Sequence, residues 1–431
     1  MAITGRAVAL LFVGVAVIAL SPAPGPTFLL VNLVVAALVG VDLWLAGSVR
    51  AIRFSRSGPT AARLGQPVPL VLAVANDGTR VLRAQIRDAW PPSAGARPRV
   101  HRVTVPAGER RFLQTMLHPT RRGDREPFRI TVRSLGPLGL AGRQGRHVCP
   151  WRVRVQPPFI SRRHLPAALA RLREVEGEVA IRGGGAGSEF DSLRDYVIGD
   201  DVRTIDWRGS ARRAAVVVRT YRPERDRRVM CVLDTGRTAA GRVGDTPRLD
   251  HALDAALLLT AVALRAGDRV GMVAYDSVSR VSMPSTRDQG LLARMSDAMA
   301  NLEPALVEAD HGGMASAVLR ATGRRSLVVI FTELVPAVIE EGLLPALPTL
   351  TSRHTVLVAA LRDPKLDELA AARGDIHQVY AAAAAEQTLL RRRELTDALR
   401  RKGVEVVDVP PAQYAAVVTD TYLTMKSRGR L

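Results

Sequence analysis

The spacing of hydrophobic positions changes twice along the chain. Residues 7–20 (AVALLFVGVAVIAL) are apolar without a charged interruption, and after the breaker-rich SPAPGPT a second apolar run covers residues 28–46. Two such runs in succession predict a transmembrane helical hairpin over about 3–20 and 28–46 within residues 1–50. The first run is short for a bilayer core, which takes roughly 20 residues, so it is expected to recruit Ile3 and Thr4 and to let Arg6 snorkel to the interface. From 57 to 157 the period shortens to two. Residues 66–75, 81–88, 99–105, 111–117 and 128–132 alternate apolar and polar side chains between Gly, Pro, Asn and Asp clusters, which predicts an all-β sandwich. From 228 to 431 continuous apolar runs (229–233, 269–275, 326–331, 355–361, 404–407) alternate with helical patterns (249–265, 291–301, 314–320, 385–401). That alternation predicts a doubly wound α/β domain whose ligands lie at the carboxyl ends of its strands.

The charges flanking the apolar runs set an orientation. Arg6 precedes the first run, Arg50, Arg53 and Arg56 follow the second, and residues 21–27 carry no charge. The positive-inside rule then places both flanks, and the body, in the cytoplasm. A cleaved signal peptide is the competing reading of residues 6–25, but the second run follows so soon that an uncleaved two-pass anchor is favoured. Asp42, costly in lipid, is expected at a solvated helix end.

Composition changes the picture little. Lys and Arg outnumber Asp and Glu by 61 to 41, a formal charge of +20 that favours anionic partners. The arginines are spread through every segment, and with 4% aromatics there is little to stack on bases. No specific nucleic-acid partner is expected. Cys149 and Cys231 exclude a disulfide framework and fit a reducing compartment. His101, His118 and His147 lack the close spacing of a zinc site and are expected at the surface or hydrogen-bonded.

The segment 158–227 joins the two patterned regions. After an amphipathic helical stretch at 165–173 comes a glycine cluster at 183–187 and then EFDSLRDYVIGDDVRTIDWRGSARR. The glycines lack the Lys-Ser or Lys-Thr of a P-loop and are expected to form a hinge. Glu189, Asp191, Arg194, Asp195, Asp200, Asp201, Arg203, Asp206 and Arg212 interleave with Tyr196 and Trp207, which suggests ion pairs held against a partly apolar surface. Arginines so close should lower the pKa of Asp200 and Asp201, making them poor proton shuttles. A structural network fixing the sandwich against the α/β domain is expected.

At this point the chain resembles the bacterial "domain of unknown function 58" family. The resemblance rests on Glu189-Phe190-Asp191, Leu193-Arg194-Asp195-Tyr196, Gly199-Asp200-Asp201, Arg203, Ile205-Asp206-Trp207 and Ser210-Ala211-Arg212. It implies two N-terminal membrane helices, an immunoglobulin-like sandwich, and a von Willebrand factor A-like C-terminal domain. It also implies a MoxR-type AAA+ ATPase as partner, and no established enzymatic activity. In von Willebrand A domains an Asp-x-Ser-x-Ser loop, helped by a Thr and an Asp from later loops, holds magnesium. Here the loop is Asp234-Thr235-Gly236-Arg237-Thr238, the later turn is Gly312-Gly313-Met314, and the third loop offers Glu333. Two oxygen ligands are lost and one is lengthened, so this adhesion site reads as degenerate. Mg²⁺, with Asp234 and Thr238 as its weak candidates, is disfavoured, and no cofactor is expected. Asp234, Thr238 and Glu333 are expected to rim a docking face on a membrane-anchored scaffold or adaptor for assembly or maturation of a protein complex. The alternative is a metal-dependent hydrolase acting on a small anionic substrate at the same strand ends.

Overall fold

The computed structural model describes residues 2–182, 189–197, 200, 202–222 and 227–431. The chain divides into two units, Met1–Pro158 and Phe159–Leu431.

Apolar side chains on all sides produce the helices Gly5–Ala19 and Pro24–Leu45. The second begins on Pro24, where a missing N–H costs nothing. With 22 residues and a mean hydropathy of 2.3 it is long and apolar enough to cross a membrane; Gly5–Ala19 is shorter. The helices approach at Gly14, where a Cβ would lie 2.6 Å from Val31 Cγ1. Ile3 and Thr4 do not extend the first helix. Ala2–Ile3 pairs as a short strand with Ala141 and Gly142, and the Thr4 hydroxyl donates to the Gly139 carbonyl at 2.6 Å.

Asp42 corrects a second expectation: it is fully buried. Its Oδ1 accepts the Leu138 N–H at 2.8 Å, and its Oδ2 accepts those of Leu140 and Ala141 at 2.7 and 2.8 Å. Three converging amides replace water around the carboxylate, which is what makes its burial tolerable. Gly136 leaves the space, since a Cβ there would sit 2.1 Å from Asp42 Oδ1. Arg143 donates to the Leu43 carbonyl at 3.1 Å, and Arg80 lies 4.9 Å from the centre of the Trp44 ring.

The β-rich remainder of this unit packs a five-stranded sheet against a three-stranded one. The first runs Ala2–Ile3, Ala141–His147, Arg129–Leu135, Leu82–Ala89, His101–Val105; the second runs Ile52–Ser57, Val68–Asn76, Arg110–Leu117. Leu72, Val74 and Leu113 meet Leu82, Ile86, Ile130 and Val132 in one core. A third, smaller sheet orders Ala61–Arg63, Val153–Gln156 and Gly123–Arg125. Arg56 and Asp88 clasp the two main sheets by a buried pair at 2.6 Å, and the Trp90 indole donates to Asp88 at 2.8 Å. His101, buried, is hydrogen-bonded to Thr115 at 3.0 Å.

In the second unit a six-stranded sheet orders Ser279–Thr286, Arg269–Tyr275, Arg228–Asp234, Leu327–Phe331, Thr355–Leu361 and Glu405–Val409. All neighbours are parallel except the antiparallel edge strand Ser279–Thr286, which makes the sheet mixed. Both faces are covered. Val229, Cys231 and Leu233 enter one core and Met230 and Val232 the other, which is why the strand reads as an unbroken apolar run. The helix Pro411–Ser427, not anticipated, packs on one face beside Arg248–Arg265 and Leu165–Arg182. It brings Lys426 to Asp268 at 2.7 Å in a buried pair that also accepts the Tyr422 hydroxyl.

Candidate functional site

The carboxyl ends of the central strands form the crevice in which the sequence placed its candidates. Asp234 ends the strand Arg228–Asp234 and is 3% exposed. Its Oδ1 accepts the Gly236 N–H at 2.8 Å and its Oδ2 the Thr332 hydroxyl at 2.7 Å. Thr235 is turned inward, donating to Asp276 at 3.1 Å. At Gly236 a Cβ would lie 3.1 Å from both the Ala309 Cβ and Asp234 Oδ1, so a hydroxyl-bearing side chain would be crowded there. Thr238 follows, half-buried, in the short turn Arg237–Ala240. Met314 points into the apolar core rather than the crevice.

Glu333 is not an open rim residue. It is buried, and both its oxygens are taken by guanidinium groups, one from Arg248 and one from Arg392. Arg392 also holds Asp408 through two bonds of 3.1 and 2.7 Å, and Arg248 reaches the Leu361 carbonyl. Burial works against charge on Arg392, but the Asp408 and Glu333 carboxylates outweigh it and hold its pKa above the ordinary value. The four charges cancel in place. Arg248 and Arg392 stand 85 and 59 residues from Glu333, and no local pattern announces such a pairing. A cavity of about 20 Å³, room for one water, separates Asp234 and Thr238 from Glu333, Arg248 and Tyr414.

These residues do not fit a magnesium ion. The middle hydroxyl is absent at Gly236, Met314 is committed to the core, and Glu333 is already neutralised by arginine. Mg²⁺ demands near-octahedral oxygen donors. Cys231, on the same central strand, is wholly buried, and burial pushes its thiol up to about 12, which removes it as a nucleophile.

Sequence reasoning missed His311. It opens the helix His311–Ala321, whose cap is Asp310 accepting the Gly313 N–H at 2.9 Å. The imidazole is 4% exposed, lies near Asp234, and has at most one ring nitrogen hydrogen-bonded, to the Ala309 backbone. Burial lowers its pKa. Gly342, in a π-helical turn over Ala337–Leu343, gives it space: a Cβ there would lie 2.5 Å from His311 Nδ1. A second cavity, of about 300 Å³, opens here between His311, Thr238, Val338 and Gly342, with Arg237, Glu308 and Glu341 among its lining. A His following Asp at the head of a helical pattern was the available signal, and it is a weak one.

The charged segment forms a small antiparallel ribbon, Glu189–Asp195 with Val217–Arg222, carrying the helix Trp207–Arg213. Arg194 holds Asp200 at 2.6 Å and Arg219 holds Asp206 at 2.9 Å. Those arginine hydrogen bonds lower the pKa of both acids. Asp206 also caps the helix through the Gly209 N–H. These pairs link neighbours within the ribbon, and their arginines are about half exposed. Asp195, Arg203, Trp207 and Arg212 are exposed and Tyr196 is half-buried. Glu189 and Asp191 lie on the ribbon's first strand. Asp201 and the glycine cluster fall outside the described residues.

Fold and site together define a class: an α/β domain whose strand-end crevice is closed by arginine–carboxylate pairs, preceded by a charged ribbon. The profile of the family described as "Protein of unknown function DUF58" matches residues 192–406. Uncharacterised proteins of Mycobacterium bovis and of Mycobacterium tuberculosis are each 27% identical over 187 residues, 43% of this chain; the match spans 58% of the relatives' length. Among solved structures, the conserved hypothetical protein BatB from Bacteroides thetaiotaomicron is similar over 46% of this chain and 98% of its own, at 13% identity and a TM-score of 0.27. The CARDB domain of a Pyrococcus furiosus protein, crystallised with di-metal ions, covers 24% of this chain and 86% of its own, at 17% identity and a TM-score of 0.19.

Proposed function

We propose that the chain is a membrane-anchored docking protein, held in the bilayer by both N-terminal helices with its body in the cytoplasm. Its α/β domain acts as a degenerate von Willebrand factor A-like module. It presents its strand ends to a MoxR-type AAA+ ATPase during assembly or maturation of a protein complex. One observation carries the reading. Where a metal-dependent module would keep the acidic ligand of its third loop open, Glu333 is consumed by Arg248 and Arg392. A crevice whose third-loop carboxylate is held by two arginines is suited to recognition rather than to Lewis-acid chemistry.

The orientation is supported by Arg6, Arg50, Arg53 and Arg56 flanking the apolar helices. Two measurements test the proposal. Calorimetric titration of the detergent-solubilised chain with Mg²⁺ and Mn²⁺ is expected to show no heat of specific binding; tight binding abolished by Asp234→Ala returns the crevice to hydrolase chemistry. Crosslinked affinity capture from the native cell is expected to bring down an AAA+ ATPase, and its consistent absence overturns the partner.

A further inference from the structure

The crevice beside His311 holds carboxylates that no guanidinium or ammonium among the described residues offsets. Around it, Glu333 and Asp408 are cancelled by Arg248 and Arg392, Asp276 by Arg280, and Glu308 by Arg237. Asp234, Asp310 and Glu341 remain, and among the described residues none of the three forms an ion pair. Asp234 and Asp310 take their hydrogen bonds from a hydroxyl and from backbone amides, which lend no full positive charge. His311 adds an independent sign of something missing. It is 4% exposed, it borders the 300 Å³ cavity, and at least one ring nitrogen lacks a partner. A buried polar group with no partner costs free energy, so the structure keeps it at a cost. The π-helical turn and the bare Cα of Gly342 both serve to make its place, and such turns concentrate at functional sites.

From this geometry we infer that the cavity is an anchor pocket for an arginine side chain presented by a partner protein. The inference rests on the docking reading above and deepens it by naming what is docked. The guanidinium supplies the positive charge that Glu341 on the cavity wall leaves unbalanced, in the field of Asp234 and Asp310 beside His311. Its fork of donors meets an imidazole nitrogen, the Thr238 hydroxyl and the Glu341 carboxylate, while its methylene stem lies along Val335, Ala337 and Val338. The volume reaches the lower end of what small-ligand pockets offer and so suits one long side chain rather than a nucleotide. The sign of the preferred ligand is the reverse of that expected at a metal-bridged adhesion site.

The test uses the full chain in detergent micelles with its eight histidines labelled with ¹⁵N, the His311 signals being assigned by their loss in His311→Gln. The probes are capped tripeptides, Ala-Arg-Ala and the neutral isostere Ala-citrulline-Ala. The arginine peptide is expected to shift the His311 signals saturably at millimolar concentrations. The citrulline peptide should bind about tenfold more weakly or worse, the loss of one charge-assisted hydrogen bond. Glu341→Gln, at an exposed position, should weaken the arginine peptide by a similar factor, and Gly342→Ala should remove the response. Equal response to both peptides, no saturable shift at tens of millimolar, or a His311 response to Zn²⁺ or Mg²⁺ that excludes the peptide each overturns the pocket. The peptide needs no ATPase. Binding with failed ATPase capture sinks only the partner's identity, and capture without peptide binding sinks only the arginine pocket.

Discussion

The ribbon and the strand-end crevice use the same residue types in opposite ways. In the ribbon, Arg194–Asp200 and Arg219–Asp206 join residues 6 and 13 apart in sequence, and their arginines stay about half exposed. In the crevice, Arg392, Glu333, Arg248 and Asp408 are drawn together from separate elements and lie mostly in the interior. Water screens the first set and leaves it little to contribute to stability. The second set has no water to fall back on, so it stands or fails as a unit. Density of charge along a chain therefore says little about which charges hold the fold.

Substitutions can test that contrast. The largest effect is expected at Arg392→Ala, which strands Asp408 and leaves Glu333 with Arg248 alone, and should cost roughly 3 to 5 kcal/mol in urea unfolding. A loss no greater than that of an exposed substitution would put these charges on a par with the ribbon's. Asp88→Leu in the sandwich, which strands Arg56 and the Trp90 N–H, should fall in the same range. Asp42→Ala leaves three amides without an acceptor and should cost about 2 to 4 kcal/mol; Asp42→Asn should recover part of that in the same melt.

Acid should bring a smaller loss. Burial lowers the pKa of His101, His251, His311 and His354 below their ordinary 6.5. The unfolded chain then binds more protons below that value, so stability is full above it and is lost as pH falls towards the depressed folded values. The melting temperature should drop between about pH 7.5 and about pH 5.5, and His311→Gln should flatten part of the slope. Least of all, Arg194→Ala should leave the midpoint unchanged, while a large shift there would give the ribbon the fold-holding role that the sequence suggested.

Period and composition revealed the architecture because each layer buries its own face. The alternation in 66–75 became the strand Val68–Asn76, and the unbroken run 229–233 became the doubly covered strand Arg228–Asp234. Strands such as Ile52–Ser57 escaped notice because Arg56 takes an inward position through its pair with Asp88. Ser279–Thr286 escaped because it is an edge strand with half-open faces. At the site, Asp234 was found because strand-end loops hold polar residues at known places. Glu333 was misjudged because its partners come from residues 248 and 392. His311 stayed hidden because its setting depends on Gly342 and a cavity that no spacing records.

The grip of Asp42 on the amides of Leu138, Leu140 and Ala141, with Thr4 fastened to Gly139, has a mechanical consequence. Both apolar helices are keyed into one sheet corner, like a shaft into its collar. Rolling or tilting the second helix must turn the 136–141 hairpin with it, so torque applied at one end of this unit reaches the five-stranded sheet without slack.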